Sequence, residues 1–87
     1  MLNLIKESLK TIYDKDESYT DYQSHVETLN YIERNDDCSV DWVNRKLQEI
    51  LNYLSKKCLV SEYDYVLINH RIATYLIGYL LNKPTDE

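Results

Sequence analysis

Residues 61–82 are the most apolar stretch of an otherwise polar chain, and any fold must shelter part of them. Tyr65, Ile68, Ile72, Tyr75 and Tyr79 recur at spacings of three and four, while Leu67, Ala73, Ile77, Leu80 and Leu81 fill the flanks. A helix with this pattern is apolar over most of its circumference and needs neighbours on several sides. The expectation is a central post wrapped by three companions. Its start is well marked. Ser61 and Asp64 match a capping box, and Val60 can pack on Tyr65 as a hydrophobic staple. Pro84 cannot continue a helix, which places the end near Asn82.

The companions follow from the same periodicity. A first helix is expected over 3–13, with Leu2, Ile5, Leu9, Ile12 and Tyr13 on one stripe, followed by a loop over 14–17. Ser18 and Asp21 read as a second capping box opening a helix over 18–34. Its stripe is Tyr22, Val26, Leu29 and Ile32, with Tyr19, His25 and Tyr31 at the margins. Ser39 caps a third helix, with Asp41 in the first turn and Lys56 and Lys57 at the end, each charge suited to its helix pole. Val43, Leu47, Ile50, Leu51 and Leu54 form its apolar face, with Trp42 at the edge.

One Gly and one Pro are too few for a chain built from tight turns, and no segment alternates as a strand does. Eighty-seven residues support one core, so residues 1–87 are read as a single domain. Four helices joined by short connections give an all-α, antiparallel up-and-down four-helix bundle.

The formal charge of −5 is uneven, because residues 14–37 alone carry −6. An acidic surface argues against nucleic acid and against anionic membrane as partners, since both reward clustered Lys and Arg. The first residues lack a basic segment followed by an apolar run, so no secretion signal is read and a cytoplasmic location is expected. Asp64, Asn69, His70 and Arg71 interrupt the apolar stretch, and an Arg near a membrane centre costs about 2.5–3.5 kcal/mol. Direct insertion into a membrane is not expected.

Little in the sequence points to catalysis. Cys38 and Cys58 bracket the third helix about 30 Å apart, too far for a disulfide, and neither has zinc-site spacing. His25 and His70 have no metal-ligand partners at helical spacing, and no phosphate loop, nucleophile elbow or dinucleotide fingerprint is present. No catalytic residue, metal or cofactor is assigned, and the chain is read as a non-enzyme. Nine Tyr with no Phe favour half-buried packing and protein contacts. Asn69, His70 and Arg71 form a polar break that reads either as the solvent face of the helix or as a recognition patch beside apolar surface.

Residues 9–14 closing the first helix, Val43, Asn44 and Arg45 early in the third, and 57–63 leading to Leu67 and Ile68 resemble the immunity proteins of class II bacteriocins, particularly the enterocin A group. The resemblance implies a small cytoplasmic four-helix bundle that binds a bacteriocin-engaged membrane receptor, a mannose-type sugar permease, and keeps the pore from staying open. It also implies recognition through the C-terminal half, with Tyr63, His70, Arg71, Tyr75 and Tyr79 as the expected partner contacts. An alternative is a small acidic inhibitor of phage or mobile-element type, with 14–37 occupying a basic site on a host or defence protein. A homodimer in which a second copy covers the last helix is a third possibility.

Overall fold

A computed structural model of the chain describes residues 2–35 and 37–82. Four helices follow in order: α1 over Leu2–Lys15, α2 over Tyr22–Arg34, α3 over Val40–Lys56 and α4 over Glu62–Asn82. The fold is all-α, as the periodicity predicts. Among the described residues α1 touches α2 and α4, while α3 touches α2 and α4, so the helices form a ring. The cross-contacts set their directions. Lys6 pairs with Glu33 and Tyr13 stacks on Tyr22, which makes α1 and α2 antiparallel. Tyr31 meets Trp42 and His25 meets Tyr53, which does the same for α2 and α3.

A ring of four has no central post, and this corrects the expected role of the last helix. Among the described residues of α4 only Ile68 and Ile72 are fully buried, whereas α3 buries Val43, Leu47, Ile50, Leu51 and Leu54. The α3 stripe is the one the sequence pattern anticipates residue for residue. Each such side chain contributes roughly 1.5–3 kcal/mol. Leu2, Ile5, Leu9 and Ile12 of α1, Tyr19 of the following loop, and Leu29 and Ile32 of α2 complete the core.

Caps explain three of the boundaries. Ser39 Oγ accepts from the Trp42 amide at 3.1 Å, and Ser61 Oγ accepts from the Asp64 amide at 3.1 Å. The serine half of each expected cap is therefore formed, each worth about 1 kcal/mol. At the end of α3, the Cys58 amide donates to the Ser55 carbonyl and the Leu59 amide to the Leu54 carbonyl, the two bonds of a Schellman motif. Its left-handed position is held by Cys58 at φ 58°, where glycine is usual.

The second capping box is not formed. Asp16 accepts from both the amide and the hydroxyl of Ser18, at 2.9 and 2.7 Å, and helix α2 begins only at Tyr22. A local Asx turn has outcompeted the cap, because Asp16 lies two residues ahead of Ser18 and reaches it first. These bonds also hold the Asp16 carboxyl below the usual carboxylate range. Within the resulting loop Tyr19 turns fully inward, although the periodicity places it at a margin.

Candidate functional site

Helix α4 has two unlike faces. Ile68 and Ile72 point into the bundle, with Tyr65, Tyr75, Leu76 and Tyr79 half-buried against the core. On the opposite side Tyr63, Val66, Ile77, Leu80 and Leu81 are exposed, with Tyr63 at 75% and Leu81 at 80%. His70 and Ala73 are exposed between them.

The second half of α4 outruns its neighbour α1 for a geometric reason. The Arg71 guanidinium donates to the Leu4 carbonyl at 3.1 Å and to Ser8 Oγ, so the start of α1 lies level with the middle of α4. With 21 residues against the 14 of α1, α4 continues past the described start of that neighbour. What holds its far end is the other side of the ring, where Tyr79 Oη donates to the Cys38 carbonyl at 2.5 Å. Ring contact between Tyr75 and Tyr79, at 5.9 Å, braces that end.

The five residues expected as partner contacts are thus divided. Tyr63 and His70 stand on the outer face, free of the core. Arg71 ties α4 to α1, and Tyr79 ties it to the turn before α3. Tyr75 is half-buried beside Tyr79, and burial pushes its hydroxyl pKa up. The five do not form one surface. The sequence pattern places Ile77, Leu80 and Leu81 on flanks needing shelter and does not single out Val66, yet these four are prominent on the outer face. The signal that finds Val66, Ile77 and Leu80 is the alternation of three and four residues through Tyr63, Val66, His70, Ala73, Ile77 and Leu80.

Electrostatics separate this face from the rest of the chain. Residues 65–82 contain no carboxylate, and their one formal charge, Arg71, is turned toward α1. The acidic residues Asp14, Asp16, Glu17 and Asp21 are exposed around the α1–α2 loop instead. A cleft of about 320 Å³ lies between α1 and α4, lined by Glu7, Thr11, Lys15, Asp64, Leu67 and Arg71 among others. It mixes both signs of charge, and its guanidinium is already engaged.

A second cluster is aromatic. Tyr19, Tyr22, His25 and Tyr53 lie within 6 Å of one another in successive ring contacts, and Tyr19 Oη is 2.6 Å from His25 Nδ1. Burial drives the Tyr19 hydroxyl pKa far upward, so it keeps its proton while it shares this bond with the ring nitrogen. His25 is held neutral in turn, because burial lowers its pKa and the nearby Asp21 only partly opposes that.

Among the described residues no group of three or more His, Cys, Asp or Glu side chains is placed to hold a metal ion. No helix is long and apolar enough to cross a membrane, again among the described residues. No protein-family model, curated protein or solved structure matches the chain.

Proposed function

We propose that this chain is a bacteriocin immunity protein that acts by binding. In this reading it engages, from the cytoplasmic side, a sugar-permease receptor already seized by a class II bacteriocin, and it holds the pore shut. One observation carries the reading: the C-terminal helix, where the resemblance puts recognition, keeps an uncharged apolar face outside its own bundle. Tyr63 and His70 supply the polar tips on that face, and Tyr is a residue type that dominates binding energy in protein interfaces. Arg71, Tyr75 and Tyr79 serve the reading indirectly by fixing the helix. Expression of residues 1–87 in a bacteriocin-sensitive strain tests it, with survival expected for at least one peptide of a class II panel.

A second reading rests on the exposed carboxylates of Asp14, Asp16, Glu17 and Asp21 gathered at one end of the bundle. They suit an acidic inhibitor that occupies a basic site on a host or defence protein. Asp37 is exposed as well, while Asp36 lies outside the described residues. Capture of a partner that weakens steeply with salt, and that substitution at Asp36 and Asp37 abolishes, would favour this reading over the first.

A further inference from the structure

The outer face of α4 has a pattern more specific than mere exposure. Tyr63, Val66, His70, Ala73, Ile77 and Leu80 follow one another at intervals of three, four, three, four and three, the seam of a two-helix coiled coil. Such a seam takes another helix with the same repeat. We propose that a second copy of this chain covers it, α4 against α4 in antiparallel register, so that the free protein is a homodimer.

The pattern is complementary to itself when reversed. An antiparallel register centred between His70 and Ala73 sets Val66 against Ile77 and Tyr63 against Leu80, and places the small Ala73 opposite His70. Large residues meet apolar partners and the bulky polar ring meets the one small residue. A parallel register would set His70 against His70 and leave paired alanines beside it, a hole next to a crowded layer. It would also bring the two acidic first turns together, with Glu62 and Asp64 in each. The antiparallel register instead brings each acidic first turn toward the opposite end of its partner helix and sets the helix dipoles head to tail.

Charge does not oppose the contact. Although the chain carries −5, residues 65–82 hold no carboxylate, so two copies meet through the least acidic surface available. The area is sufficient. Tyr63, Val66, Ile77, Leu80 and Leu81 are 57–80% exposed. At roughly 100–200 Å² a side chain they offer on the order of 500 Å² per copy, and two copies reach the ~1,000 Å² that a specific interface needs. The inference stands without the immunity reading. Should both hold, receptor and second copy compete for one face.

Sedimentation velocity across a concentration series tests the proposal on the full chain. The wild type is expected to run as a dimer that dissociates on dilution. Ile77→Glu is expected to weaken the dimer at least ~100-fold by setting a charge against Val66 twice. Its helical circular dichroism should persist, because Ile77 is 59% exposed within one bundle. Register is read by mixing Val66→Cys and Ile77→Cys proteins, both on a Cys38→Ser, Cys58→Gly background. A disulfide between the two variants, and none within either alone, is expected. A monomer at every concentration overturns the proposal, as does a dimer indifferent to Ile77→Glu or a Val66→Cys protein that links to itself. A monomer that adsorbs to phospholipid vesicles through this face also overturns it.

Discussion

The hydroxyl of Tyr19 and Nδ1 of His25 share a hydrogen bond of 2.6 Å, and the bond joins the loop after α1 to the first turn of α2. At the N-cap position of that helix, Asp21, the side chain accepts from none of the first-turn amides, and the Tyr19–His25 bond ties the helix start to the loop through side chains instead.

Acidification should therefore loosen the protein before the carboxylates titrate. The folded pKa of His25 lies below its ordinary value of 6.5, so the unfolded chain binds the proton more readily. This contribution is complete above pH 6.5 and is lost as the pH falls through 6.5 toward the depressed folded value. Urea unfolding at about pH 7.5 and about pH 5 should give a lower midpoint at the acid end. His25→Gln should flatten that difference. Tyr19→Phe should cost about 1–2 kcal/mol at neutral pH by leaving the ring nitrogen without its hydrogen-bond partner.

Two backbone positions should yield stability when changed. Cys58 holds a left-handed conformation that costs a non-glycine residue about 1–2 kcal/mol, so Cys58→Gly should raise the urea midpoint without altering the slope. Gly78 sits inside α4, and a Cβ added there meets nothing within 4 Å. Gly78→Ala should add about 0.5–1 kcal/mol.

Arg71 should behave as a structural residue. Ser8 Oγ donates to the Leu4 carbonyl while accepting from Arg71, so one guanidinium fastens two positions of α1. Arg71→Met should cost about 1–3 kcal/mol and lower hydrogen-exchange protection at the start of α1 more than in α3.

How much of this was legible in the sequence differs from element to element. In α3 the stripe from Val43 to Leu54, the Ser39 cap and the charged ends all agree, and the helix forms where that agreement places it. At Ser18 the local pattern was ambiguous, and a carboxylate two residues upstream decided it. Tyr19 was hard to place because a loop residue obeys no helical period. In α4 the apolar excess is plain in the sequence, but composition alone does not say whether shelter comes from the same chain. Arg71 looked like part of a surface patch, since no period reveals that the start of α1 will lie beside it.

The Tyr63 and His70 side chains should separate binding from folding. Both are exposed within one bundle, so at dilutions where the chain is monomeric Tyr63→Ala and His70→Ala are expected to change the unfolding free energy by no more than about 0.5 kcal/mol. Under the immunity reading each nonetheless weakens protection.

The most direct test is survival of a bacteriocin-sensitive strain that expresses this chain, challenged with a panel of class II peptides. The account predicts protection against at least one peptide, reduced by Tyr63→Ala at an unchanged level of folded protein. Killing that is identical with and without the chain, across every peptide, would contradict it.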